Sequence, residues 1–212
     1  SEKIIKDDDY IELRNISVGS SGSVCLFYLI EEEKFSAIKK QYTDDNKDFS
    51  KLNKREICNY KNKINHPFLP KFYGLTQDTQ LLVFEYINGD TLYRTDISKY
   101  SETEIFSIII QILSVFEYLH ENHFIYRDLN PNNIMIDLNK IAVLIDFDRM
   151  IKEKEFNKDN EEINIDHTNN FATEFVAPET NSGKFNNKCD IYSIGKIINY
   201  ILDNQRLIKY TT

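Results

Sequence analysis

Two short stretches constrain this chain most: YRDLNPNN at residues 126–133 and LIDFD at 144–148. Asp128, Asn133 and Asp146 each follow an apolar approach, so they are expected at neighbouring strand ends. Two carboxylates and an amide oxygen in an apolar setting are costly to bury unless a cation neutralises them. A ligand set made only of oxygen favours Mg2+ or Mn2+. The competing reading is a set of Asx residues that merely cap turns.

Around these stretches the chain changes character once. The first third alternates apolar and polar residues: YIELRNISV, the buried run VCLFYLI, and FSAIKK after a charged EEEK turn predict three strands. FSKLNKREICNYKNKIN has helical spacing, with Leu52, Ile57, Tyr60 and Ile64 near one face, and it stops before His66-Pro67. LPKFYGL and LLVFEYI predict two more strands, the second ending at Asn88-Gly89-Asp90, a turn signal. From Ser101 a Ser-x-x-Glu capping box opens a long, mostly buried helix, and DIYSIGKIINYIL (190–202) predicts a last apolar one. Between them, short strands flank NPNN and DLNK. Residues 151–170 are rich in Lys, Glu, Asp and Asn and read either as a mobile loop or as an ordered regulatory one. Strands first and helices after, with a break near 88–91, imply an α+β fold: a small sheet lobe, 1–87, and a helical lobe, 88–212, around a shared cleft.

Composition excludes some classes. A net charge of −8 argues against a general nucleic-acid binder, since phosphate backbones demand a basic surface. The apolar IFSIIIQIL (105–113) is too short for a membrane span and reads as a buried helix; no signal peptide precedes it. Cys25, Cys58 and Cys189 are odd in number and far apart, which fits a cytoplasmic or otherwise intracellular protein with reduced thiols better than a disulfide framework.

Two further motifs are weak when taken alone. ISVGSSGSV (16–24) joins two strands through a Gly/Ser turn that lets backbone N–H groups approach phosphate, or that simply closes a hairpin. SAIKK puts Lys39 on the strand face of Ala37 and Lys40 on the other; Glu56 is a possible acid partner for Lys39, and a solvated lysine is the plain alternative.

The set as a whole resembles the eukaryotic-type protein kinase family. Its landmarks come in family order: the Gly/Ser turn, SAIK, Glu56, FEYINGD, YRDLNPNN, IDFD, VAPE (176–179) and DIYSIG (190–195). The resemblance implies ATP and Mg2+ (or Mn2+) as ligands and a protein substrate. It implies that Lys39 holds the α- and β-phosphates and pairs with Glu56, and that Gly19 and Gly22 let the loop lie over them. Ile16, Val24, Ala37 and Met135 would enclose the adenine, with Phe84 as gatekeeper and the backbone of Glu85 and Ile87 as its hydrogen-bonding edge. Asp128 would orient the acceptor hydroxyl and take its proton; Asn133 and Asp146 would hold the metal. Arg127 would pair with a phosphorylated segment, Thr168 and Thr173 being the candidate acceptors. Glu179 and Asp190 look structural.

The chain departs from the family pattern in several places. Ser17 stands at the first loop glycine, the segment from Glu56 to His66 carries one residue more, and Tyr126 replaces a histidine while still able to pack under Phe147. Asn130 replaces the lysine aimed at the transferring phosphate, which predicts slower transfer because an amide donates a hydrogen bond but no charge. Asp148 replaces the glycine after DF and narrows the backbone freedom there. The chain stops soon after DIYSIG, implying a fragment or a pared-down lower lobe, with a regulatory partner or further C-terminal region as the expected complement. RDLNPNN, and the absence of a tyrosine-type proline in ATEFVAPE, favour a serine/threonine kinase. A pseudokinase acting as a nucleotide- or partner-binding module is the alternative, and a small-molecule phosphotransferase is the third reading.

Overall fold

The computed structural model describes residues 3–18, 22–41, 64–77, 81–153, 173–182 and 186–206. The chain divides into two compact units, Ser1–Asn88 and Gly89–Thr212. The elements are those of an α+β protein: the described part of the first unit is mainly strand, and the second sets short strands beside two long helices.

In the first unit the alternating stretches form one six-stranded sheet: β1 (Ile4–Ile5), β2 (Tyr10–Val18), β3 (Gly22–Leu29), β4 (Lys34–Gln41), β5 (Phe72–Thr76) and β6 (Leu82–Glu85), ordered β1-β5-β6-β4-β3-β2. All neighbours are antiparallel except β1, which runs parallel to β5. β1 has no counterpart in the sequence reading, because two residues carry no period. Its docking depends on Gly74, whose φ of +142° suits glycine and where a Cβ would sit 2.0 Å from the Lys3 carbonyl oxygen. The period of two then sorts the faces. Cys25, Phe27, Leu29, Ile38 and Val83 join Ile5 in a buried core, with Tyr10, Tyr73 and Leu81 packed against it. Val24, Ala37 and Lys39 therefore share the opposite face. Lys40 lies on the core side, its Nζ 2.7 Å from Glu12 Oε2 and 5.3 Å from the Phe27 ring centre. The helix expected over 49–65, with Glu56 on it, falls outside the described residues except for its last two.

The second unit is built on α1 (Glu102–Glu121). Its expected capping box is formed: Ser101 Oγ accepts the Glu104 amide and the Ser101 amide donates to Glu104 Oε2 at 2.8 Å. By length and composition alone α1 passes for a membrane span, as the core helix of a soluble protein also does. Its apolar side is spent inside the unit, where Ile105, Ile108, Val115, Phe116 and Leu119 are all buried. Four short strands follow the fold inward: β7 (Gly89–Thr91), then β8 (Phe124–Ile125), β9 (Ile134–Asp137) and β10 (Ala142–Leu144). The sheet order is β10-β9-β7, and β8 pairs with β11 (Ile151–Lys152). Asn88-Gly89-Asp90 is thus not a free turn: Gly89 and Asp90 are strand residues facing Asp137 and Ile136. A Cβ on Gly89 would lie 2.0 Å from the Ile136 carbonyl oxygen, so that glycine serves strand contact. The Ala142 amide donates to Gln111 Oε1 at 2.7 Å, tying β10 to α1. The last described helix, α2, spans Asn187–Arg206. Cys25 and Cys189 are free and buried; Cys58 lies outside the described residues.

Candidate active site

The loop after β8 is shaped by a carboxylate far along the chain. Asp190, in the first turn of α2 and fully buried, accepts the Tyr126 amide at 2.9 Å and the Arg127 amide at 2.8 Å, with His120 Nε2 2.9 Å away. These bonds hold Arg127 in the left-handed region, φ +70°, which a non-glycine residue adopts only when its surroundings impose it. Arg127 Nε donates to the Arg149 carbonyl at 2.6 Å. Tyr126 OH donates to the Ile145 carbonyl at 2.5 Å, and its buried ring meets Phe147 edge-on with centres 5.7 Å apart. The packing of Tyr126 beneath Phe147 anticipated from the sequence is therefore present, and Phe116 extends it on the other side at 5.7 Å.

This frame presents Asp128. Asn133 Nδ2 donates both to Asp128 Oδ2, at 2.9 Å, and to the Asp128 carbonyl, at 2.8 Å. Burial pushes the Asp128 carboxyl up to about 6; the charges of Asp146 and Asp148 push the same way, while Arg149 and the Asn133 hydrogen bond pull it down. Arg149 Nη1 lies 4.0 Å from Asp128 Oδ1. Sequence reasoning did not single out Arg149; the only signal was a basic residue just after the acidic DFD. Asp146 also has a left-handed backbone, φ +64°, and the preceding Ile145 amide donates to the Asn133 carbonyl at 2.9 Å. Asn133 and Asp146 are therefore linked through one main-chain bond.

Asn130 does something other than what its position implied. Its Nδ2 donates to the Asp128 carbonyl at 3.0 Å, and its Oδ1 accepts the Asn132 amide at 3.0 Å. It caps the single 3-10 turn Pro131–Asn133 and is buried. Asn130 thus braces its own loop through both ends of its side chain.

The donor set suits a hard divalent cation. Because its amide nitrogen is anchored on Asp128, the oxygen is the ligand atom that Asn133 has to offer, and Asp146, next to the residue bonded to the Asn133 carbonyl, is the carboxylate that would join it. Two protein oxygens are few, which matches magnesium's habit of keeping water and phosphate ligands. Among the described residues no three His, Cys, Asp or Glu side chains form a metal cluster of their own.

In the first unit, Val24 faces Lys39 across β3–β4, and Ala37 sits between Leu26 and Phe84 in register. Ile16 and Lys39 are half-buried and Gly22 opens β3. Phe84 is buried against Phe72, ring centres 5.6 Å apart. The Glu85 amide donates to the Lys71 carbonyl at 2.8 Å, so only the carbonyl of Glu85 is a candidate edge for a base. A cavity of about 410 Å3 is lined by Leu26, Phe35, Tyr73, Glu85, Tyr86 and neighbours; it includes none of Val24, Ala37 or Lys39. Met135, on β9 of the second unit, faces Val143 and Thr91. Ile87 is half-buried. Gly19, Glu56 and Thr168 lie outside the described residues. Thr173 is described, its carbonyl accepting the Val176 amide at 3.2 Å, and Glu179 lies in the turn Pro178–Ser182.

Comparison with known proteins agrees with this geometry. The family model described as the protein kinase domain matches residues 10–211. Calcium-dependent protein kinase 5 of Plasmodium berghei (strain Anka) is 33% identical over 154 residues, covering 70% of this chain and 26% of that protein. cAMP-dependent protein kinase type 3 of Saccharomyces cerevisiae is 29% identical over 203 residues, 90% of this chain and 47% of that protein. Dual specificity protein kinase zak2 of Dictyostelium discoideum is 29% identical over 174 residues, 79% of this chain and 25% of that protein. The chain thus spans between about a quarter and a half of the length of these relatives.

Proposed function

The chain belongs to the protein kinase family, and on that premise we propose that it transfers the γ-phosphate of Mg·ATP to serine or threonine hydroxyls of a protein substrate. The observation that carries this reading is the Asn133–Asp128 pair. One amide fixes the carboxylate that would accept the hydroxyl proton and presents its own oxygen to the metal. Asp146 completes the metal pair. Within the first unit, Lys39 would hold the α- and β-phosphates, with Val24 and Ala37 against the base and the backbone of Glu85 and Ile87 at its edge. Magnesium, when bound, neutralises the phosphate charge; the chain's own groups position the hydroxyl and receive its proton. Serine/threonine preference is supported by RDLNPNN and by ATEFVAPE, which lacks the tyrosine-type proline. The odd, widely spaced cysteines fit an intracellular protein, and the net charge of −8 suits basic acceptors.

The test is transfer of labelled phosphate to serine-, threonine- and tyrosine-bearing acceptors by the chain and by Asp128→Asn. Equal incorporation by both proteins would reject Asp128 as the base, and tyrosine-only incorporation would reject the acceptor class. Asp146→Asn should remove the magnesium-dependent part of nucleotide-induced thermal stabilisation. The withdrawn amide of Asn130 and the buried Asp148 favour a second reading, a pseudokinase that binds nucleotide or a partner without transfer. Stabilisation by Mg·ATP with no turnover on any acceptor would select it.

A further inference from the structure

A question left by the phosphoryl-transfer reading, on which this inference rests, is which side chain brings positive charge to the reacting phosphate. The resemblance puts a lysine where this chain has Asn130, whose amide is held at both ends by its own loop. Position 130 therefore offers the phosphate no cation, and its amide is already engaged by the loop. Asp128, Asp146 and Asp148 meanwhile lie close enough to act on one another. That much negative charge repels a polyphosphate unless some of it is offset.

Arg149 is placed to offset it. Its guanidinium stands 4.0 Å from Asp128, and its side chain keeps 36% of its exposure, so it is not locked into a buried ion pair. Its main chain is fastened instead. The Arg149 carbonyl accepts Arg127 Nε at 2.6 Å, and the next residue, Met150, is fully buried with its amide on the Phe147 carbonyl at 3.2 Å. A partly exposed pair at this distance is worth under about 1 kcal/mol, so exchanging one anionic partner for another costs little. The planar fork of arginine fits phosphate oxygens as readily as a carboxylate.

We infer that Arg149 is the phosphoryl-facing cation of this site, resting on Asp128 and passing its guanidinium to the γ-phosphoryl oxygens when nucleotide and acceptor are in place. In the transfer the bond from the γ-phosphorus to the ADP oxygen breaks and a bond to the acceptor hydroxyl oxygen forms. The hydroxyl proton passes to Asp128. Arg149 donates hydrogen bonds throughout and exchanges no proton. Its departure from Asp128 leaves that carboxylate open to the acceptor.

The experiment compares the full chain with Arg149→Ala and Arg149→Lys in two measurements. One is steady-state transfer; the other is binding of Mg·ADP with and without aluminium fluoride, which imitates the phosphoryl group in flight. Arg149→Ala should lower kcat by about 10- to 100-fold with KM for ATP changed less than about threefold, and Lys should recover part of the loss. Affinity for Mg·ADP with aluminium fluoride should fall by a similar factor while that for Mg·ADP alone holds. Transfer by Arg149→Ala at the unaltered rate overturns the inference alone. So does a lowered kcat with undiminished aluminium fluoride binding, which would mark a merely structural residue. No transfer by the unaltered chain overturns both this inference and the function it rests on.

Discussion

Asn133 grips Asp128 twice with one nitrogen, at the carboxylate and at the carbonyl, so the proposed base and the proposed metal ligand cannot move independently. The bond also works against burial, which raises the Asp128 carboxyl from an ordinary 3.8 to about 6.

That raised value has a signed consequence for stability. A carboxyl whose folded pKa lies above its unfolded one is favoured by the fold when protonated; that contribution is full below about pH 4 and is lost as pH rises through about 6. Asp128→Asn should therefore gain stability relative to the unaltered protein on going from pH 4 to pH 8. The gain is on the order of 1–3 kcal/mol, tempered by the 26% exposure of the side chain. Urea midpoints at the two pH values check it; a difference that shrinks with rising pH would contradict the burial of this group.

Asn130→Ala removes a cap and a carbonyl donor from the same turn. Unfolding free energy should fall by about 1–2 kcal/mol. Asn130→Ser keeps an uncharged acceptor for the Asn132 amide and should lose about half as much. Chemical denaturation of the two variants side by side decides this, and equal losses would show that the cap carries none of the effect.

Asp190→Ala strips the Tyr126 and Arg127 amides of their shared acceptor in a buried place. The cost should be about 3–5 kcal/mol. Hydrogen exchange at these two amides should quicken far more than at the α1 core, whereas a uniform increase would mean that Asp190 stabilises the unit without shaping the loop.

Gly89→Ala places a methyl group 2.0 Å from the Ile136 carbonyl oxygen, a contact that only separation of β7 from β9 relieves. A loss of about 2 kcal/mol or more is expected, read as a lowered Tm. A melting temperature within a degree of the parent would mean that the β7–β9 contact is looser than described.

The sequence was most readable where period and punctuation coincide. YIELRNISV, VCLFYLI and FSAIKK became β2, β3 and β4 because alternation or a short apolar run bounded by turn signals marks a strand. Ser101 and Glu104 announced the start of α1 by chemistry confined to four residues. What stayed hidden depends on distant partners. Nothing local in Ile4–Ile5 signals a strand, and Asn-Gly-Asp reads as a turn until Ile136 lies beside it. At the site, residue types gathered Asp128, Asn133 and Asp146 at neighbouring strand ends but foretold neither the inward turn of Asn130 nor the approach of Arg149, since neither follows from spacing.

The bond from Arg127 to Asp190 closes a span of 63 residues. During synthesis, residues 126–133 leave the ribosome well before α2 exists, and their left-handed backbone has no acceptor to impose it. Chemistry at Asp128 must therefore wait for the late helix to dock. On the proposed function, a nascent chain halted before residue 187 would lack transfer even with every proposed reactive group already made.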